Sequence, residues 1–79
     1  MKIRVDVMLK NGVLDPQGKA IGHALGNLGF NGIVDVRAGK VIELDVAEAD
    51  AAKAVEAAKK MAEQLLANLV IEDFKVSVI

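Results

Sequence analysis

The sequence has no cysteine, tyrosine or tryptophan, and only two phenylalanines and one proline among 79 residues. The lack of cysteine excludes disulfides, thiolate nucleophiles and cysteine-ligated metals, and it agrees with a reducing compartment such as the cytoplasm. Sheets that stack RNA bases need exposed aromatic rings on their strands. With so few aromatics, we expect no RNA-recognition surface.

The chain also has little net charge and no long apolar run. The formal net charge is −1, so no electrostatic attraction draws the chain to nucleic acid or to anionic membranes. No apolar run approaches the roughly 20 residues that span a bilayer, and the alternating amino terminus is unlike a signal peptide. We therefore expect one small cytoplasmic domain over residues 1–79. A core of this size often depends on a partner or on oligomerisation for further burial.

Two hydrophobic periods alternate along the chain. Apolar residues recur at every second position in four segments, which predicts strands over residues 2–9, 33–38, 41–46 and 73–78. Apolar residues at helical spacing predict one helix that starts at Asp15-Pro16 and ends at Gly29. They predict a second helix that starts at Asp50 and ends at Asn68. The order β-α-β-β-α-β predicts an α+β, ferredoxin-like fold, in which a four-stranded antiparallel sheet carries both helices on one face.

Ala38-Gly39-Lys40 is interpreted as a tight hairpin turn between the second and third predicted strands. Charged residues would then project from the sheet face that the helices leave uncovered. That face is either solvated or an interface in which a neighbour pairs the alternating charges, and the small size of the chain favours the interface. These residues include Arg4, Asp6, Asp35, Arg37, Glu43, Asp45, Asp73 and Lys75.

Three glycines, Gly18, Gly22 and Gly26, recur every fourth residue in the first predicted helix. Each interior helix glycine costs roughly 1 kcal/mol relative to alanine, so the row needs a reason. Either the helix packs tightly on its own chain, or the glycines admit the backbone of another subunit. His23, the only histidine, is predicted to be exposed, and without a second ligand or a nucleophile it forms neither a metal site nor a triad. We predict no catalytic, cofactor-binding or metal-binding residue.

Several segments together resemble the PurS family, the small subunit of phosphoribosylformylglycinamidine synthase. The similarity covers almost the whole chain, and its order and spacing make it specific. The matching segments are Val13-Leu14-Asp15-Pro16-Gln17-Gly18, His23-Ala24-Leu25, Leu28-Gly29-Phe30, Val36-Arg37-Ala38-Gly39-Lys40, Leu65-Leu66-Ala67-Asn68 and Val70-Ile71-Glu72-Asp73-Phe74.

The resemblance implies a function in the fourth step of de novo purine synthesis. It implies a non-catalytic subunit that forms a dimer or tetramer and bridges the PurQ glutaminase and the PurL synthase, with ATP and magnesium bound by PurL. Polar residues of the matched loops are the candidate contacts with these partners or with a second copy. They are Asp15, Pro16 and Gln17 at the helix start and Arg37, Gly39 and Lys40 at the predicted hairpin.

Other functions of the same fold need residues that this sequence lacks. Metal chaperones need paired cysteines, and acylphosphatase-like enzymes need an arginine in the loop that here reads Lys10-Asn11-Gly12-Val13-Leu14. A regulatory, small-molecule-binding domain of the ACT type stays open as the alternative, because Asn11-Gly12 and Gly18 lie where such domains often have glycines.

Overall fold

The computed structural model describes all of residues 1–79. Its elements are β1 (Lys2–Leu9), α1 (Pro16–Asn27), β2 (Gly39–Asp45), α2 (Ala51–Met61), a π-helical turn that continues α2 (Ala62–Leu66), and β3 (Glu72–Val78). The three strands form one antiparallel sheet in the order β2-β1-β3. The fold is α+β, as predicted, with three strands rather than four.

The core lies between the central strand β1 and α2. Alternation along β1 points Ile3, Val5 and Val7 to the same face, and all three are fully buried. The helix presents small residues to them, Ala54 and Ala58, which are also fully buried. Because alanine side chains are short, the helix axis can lie close to the sheet, and larger half-buried side chains such as Leu66 and Phe74 pack around this centre.

The capping residues predicted for both helix starts and for the end of α1 are confirmed. The Asp15 carboxylate caps α1 by accepting from the Gly18 amide, and the Asp50 carboxylate caps α2. Gly29 adopts a positive φ of 95° directly after α1, where it accepts the left-handed conformation that other residues avoid. The amides of Gly29 and Phe30 then bond back to the last turn, which is a Schellman motif.

The predicted strand over residues 33–38 is wrong as an element of this sheet, and so is the hairpin. Gly39 pairs with Met8 at the end of β1, and β1 ends one residue later at Leu9. Residues 33–38 therefore extend beyond β1, where the chain has no strand to pair with them. Gly39 and Lys40 begin β2 rather than form a turn. Asp35 and Arg37 consequently do not belong to the outer face of the sheet.

The expectation that both helices cover one sheet face is also wrong, because α1 lies outside the core. Gly18 is its only buried residue, whereas Ile21 and Leu28 of its apolar stripe stay 39% and 72% exposed. The radius of gyration is 15.8 Å, against about 12 Å for a compact chain of this length. The molecule is elongated because α1 extends away from the sheet.

Candidate functional site: the contact between the first loop and the residues before β2

The two loop segments predicted as partner contacts meet in space. Asp15, Pro16 and Gln17 line one surface cleft together with Gly39 and Lys40. A neighbouring cleft contains Arg37 and the other side of Asp15. Segments more than 20 residues apart in sequence are thus brought to one surface, although their predicted secondary structure was partly wrong.

The Asp15 carboxylate joins α1 to the residues before β2. Its Oδ1 accepts from the Gly18 amide at 2.8 Å, and its Oδ2 accepts from the Ala38 amide at 2.8 Å. One side chain therefore caps a helix and also holds a second segment against that cap. The capping bond was predictable from local sequence, but the bond to Ala38 was not, because nothing near either residue indicates it.

Arg37 makes the second connection. Its guanidinium donates to the carbonyl oxygen of Leu9 at the end of β1. Because this hydrogen bond comes from a charged donor, it is stronger than a bond between neutral groups. We call the set of Leu9, Asp15, Gly18, Arg37 and Ala38 the junction. It ties the end of β1, the start of α1 and the residues before β2 to one another.

Two glycines of the matched segments are required by close backbone contacts. A Cβ atom on Gly18 would lie 2.3 Å from the carbonyl oxygen of Val36. A Cβ atom on Gly39 would lie 2.6 Å from the carbonyl oxygen of Val7. A Cβ atom on Gly22 would make only an ordinary contact with the Val36 side chain, at 3.4 Å, and one on Gly26 would meet nothing outside its own helix within 4 Å. Packing within the chain therefore requires a glycine only at the first position of the row.

Protonation of Asp15 is expected to weaken the junction. The hydrogen bonds from the amides of Gly18 and Ala38, with a smaller contribution from the charge of Arg37, lower the pKa of Asp15 below its ordinary value. Because its pKa is lowered, the ionised carboxylate stabilises the fold at pH values above the ordinary aspartate pKa of about 4. This stabilisation is lost as the pH falls through the folded-state pKa. The thermal midpoint should therefore fall in that acidic range.

Asp15→Asn is expected to lower the thermal midpoint at neutral pH and to flatten its acidic decline, because an amide has only one acceptor oxygen for two backbone amides. The matched control is Asp73→Asn, which changes an exposed carboxylate of β3 to which the structure gives no hydrogen bond. Equal acid sensitivity of Asp15→Asn and the unaltered chain would contradict this role of Asp15.

The outer face of the sheet carries the remaining predicted contact residues. Arg4 and Asp6 form an ion pair at 2.9 Å. Arg4 also lies opposite Glu43 on β2, and Asp6 lies opposite Lys75 on β3. Opposite charges therefore already face one another within the chain. The outer face stays a predicted contact surface, separate from the junction.

The structure assembles no group of three or more histidine, aspartate or glutamate side chains that could hold a metal ion. His23 is exposed on α1, as predicted. None of the helices is both long enough and apolar enough to cross a membrane. Polar, charged and glycine residues make up most of the lining of the clefts at the junction.

The fold and the junction define a small α+β domain with an elongated shape and many exposed apolar side chains. The PurS family model, described as phosphoribosylformylglycinamidine (FGAM) synthase, matches residues 2–79. The chain belongs to the PurS family and is a subunit of FGAM synthase, a purine-biosynthetic ligase. This confirms the predicted resemblance and decides against the ACT-type alternative.

Relatives from several organisms agree with this assignment. The PurS subunit of FGAM synthase from Bacillus subtilis is 48% identical over 77 residues, which cover 98% of this chain and 90% of the relative. That from Mycobacterium leprae is 52% identical over 73 residues, covering 92% and 89% of the two chains. A solved PurS structure from Thermotoga maritima gives a TM-score of 0.90 at 35% identity, covering 99% of this chain and 90% of that one.

A second solved structure is an assembly. A chain of PurLQS from Thermotoga maritima matches with a TM-score of 0.89 at 35% identity, covering 99% of this chain and 95% of that chain. The elongated arrangement therefore resembles the arrangement in that solved chain over almost the whole length.

Proposed function

We propose that this subunit bridges the PurQ glutaminase and the PurL synthase and so supports ammonia transfer between them. The observation that carries the proposal is the near full-length likeness to a chain of the PurLQS structure from Thermotoga maritima. Ammonia transfer requires two active sites in a fixed relative position, and a subunit can supply that position without reacting itself. In this proposal the complex works in the cytoplasm, and ATP and magnesium bind to PurL rather than to this chain.

Two surfaces are proposed as contacts with the other subunits. Beside the junction, exposed Pro16, Gln17 and Lys40 offer side chains to a partner and form what we call the junction surface. Asp15 and Arg37 hold the shape of that surface through their own hydrogen bonds. Gly39 keeps β2 close to β1 there. The outer sheet face, with Arg4, Asp6, Glu43 and Lys75, is the second surface. Because its charges pair within the chain, a partner would meet a polar, nearly neutral face.

Charge reversal at Lys40 tests the junction surface. We expect Lys40→Glu to lower glutamine-dependent synthesis by the reconstituted PurL, PurQ and PurS subunits by about tenfold, because like charges across an interface are costly. Synthesis with ammonium salt in place of glutamine should change little, since it does not require PurQ. Adding Arg37→Glu should enlarge the loss, because that change also removes the bond to Leu9.

The control for this experiment is Lys53→Glu, which makes the same charge change on an exposed position of α2. Glutamine-dependent synthesis that stays intact in the Lys40 and Arg37 variants would remove the junction from the contact surface. Failure of the unaltered chain to join PurL and PurQ, with glutamine and ATP present, would overturn the bridging function itself.

A further inference from the structure

Two asparagines of the chain stand directly before a glycine, at Asn11-Gly12 and Asn31-Gly32. Such a pair is chemically labile, because glycine has no side chain to keep its backbone nitrogen away from the carboxamide carbon of the asparagine. The other two asparagines, Asn27 and Asn68, each precede a leucine, whose side chain hinders that approach. The chain therefore has two positions at which asparagine can convert to aspartate, and their surroundings differ.

Asn11 and Gly12 are the central residues of a closed turn. The Val13 amide donates to the Lys10 carbonyl oxygen across this turn at 3.1 Å. Gly12 has a φ of 84° and no residue other than glycine has a positive φ, so the turn is of type II. A type II turn holds its second residue at a ψ of about +120°, which directs the next nitrogen away from that residue's side chain. The turn must therefore open before Asn11 can react.

Asn31 and Gly32 form the turn that connects the end of α1 to residues 33–38. Both residues are exposed, and no backbone hydrogen bond of normal geometry closes the turn. Gly32 does not have a positive φ, and a Cβ atom added to it would meet nothing within 4 Å. Neither a hydrogen bond nor packing fixes this pair, so its backbone is free to rotate until the Gly32 nitrogen reaches the Asn31 side chain.

We propose that Asn31 is a site of spontaneous deamidation in the folded chain, with water as the co-reactant. The Gly32 backbone nitrogen attacks Cγ of Asn31, and the new C–N bond closes a succinimide ring. The bond from Cγ to the side-chain nitrogen breaks, and that nitrogen takes the proton of the Gly32 amide and leaves as ammonia. Water then opens the ring at either carbonyl carbon, which gives aspartate or isoaspartate.

Either product changes the end of α1. It adds a negative charge to a chain whose formal net charge is −1, just beyond the helix end where the backbone dipoles already place partial negative charge. Isoaspartate also adds one carbon to the main chain. From this turn the chain returns along α1, where Val36 lies beside Gly18 and Gly22. The modification therefore lengthens the connection through which residues 33–38 reach the start of α1.

Peptide mass spectrometry of the full chain, aged at mildly alkaline pH, measures both sites. Cleavage after Lys10, Lys19 and Arg37 places them in separate peptides. We expect Asn31 to convert about fivefold faster than Asn11, the factor expected when one backbone hydrogen bond must break first. In guanidinium chloride the two sites should convert at similar rates, because the turn that protects Asn11 is lost.

Gly32→Ala supplies the matched variant. Its methyl group should slow conversion of Asn31 by about tenfold or more, because it hinders the attacking nitrogen and restricts the backbone. The open space around position 32 means that the thermal midpoint should stay the same or rise slightly. Conversion of Asn11 in this variant should be unchanged, which provides an internal reference within each sample.

Three outcomes would overturn the proposal: equal or faster conversion of Asn11 in the folded chain, an Asn31 that converts only in denaturant, or undiminished conversion of Asn31 in Gly32→Ala. The chemistry takes place within one chain and does not depend on the bridging function. Each outcome leaves open whether this subunit joins PurL and PurQ, so the proposed function is tested separately.

Discussion

Gly18→Ala is expected to destabilise the chain by about 1–3 kcal/mol, the usual effect of overpacking. Alanine is the better helix former by roughly 1 kcal/mol, so helix propensity alone predicts the opposite sign. The contact decides the sign, because the new methyl group would lie 2.3 Å from the Val36 carbonyl oxygen and 2.7 Å from Oδ2 of Asp15. The backbone of the residues before β2 would have to move, and the bond from Ala38 to Asp15 would lengthen.

Gly26→Ala is the matched control, in the same helix and with the same added methyl group. No atom lies within 4 Å of its new Cβ, so the substitution should stabilise the chain by up to about 1 kcal/mol. Denaturant unfolding at one fixed protein concentration measures both, since self-association would otherwise shift the midpoint. The same sign for both variants would show that α1 does not contact residues 33–38 as described.

Val5→Ala is expected to reduce the free energy of unfolding by about 2 kcal/mol. Val5 lies at the centre of β1 and is fully buried, so the change removes two methyl groups from the core and leaves a cavity. The fully buried residues that α2 presents to the sheet are alanines, whose short side chains cannot move in to fill the space. The loss should appear in thermal and denaturant unfolding, without a specific change in glutamine-dependent synthesis by complexes that remain assembled.

The control for the core is Val41→Ala, the same chemical change on β2. Val41 is 52% exposed, so its substitution should alter stability by less than about 0.5 kcal/mol. Similar losses for the two valines would mean that the inner face of β1 does not form the core.

Much of the fold was predictable because local sequence specifies it. The alternation in residues 2–9 predicted β1, Asp15-Pro16 and Gly29 predicted the two ends of α1, and Asp50 predicted the start of α2. These signals depend on residues within one or two turns of each other, where capping groups and side-chain period act directly. The family resemblance also came from the sequence alone.

The candidate site was only partly predictable. Its residues were identified as polar positions within matched loops, and the structure brings Asp15 and Lys40 to one cleft. Its two long-range hydrogen bonds were not predicted, since the Asp15–Ala38 and Arg37–Leu9 bonds join residues 23 and 28 positions apart. Neither a hydrophobic period nor a helix-capping motif indicates a contact between residues so far apart in the sequence.

The sequence by itself determined the elements with strong local signals, the lack of any cysteine chemistry, and the family. The tertiary structure alone decided that residues 33–38 remain outside the sheet and that α1 lies away from the core. The physical reason is register. A strand exists only where another strand lies beside it, and the pairing of Gly39 with Met8 leaves no strand beside residues 33–38 within one chain.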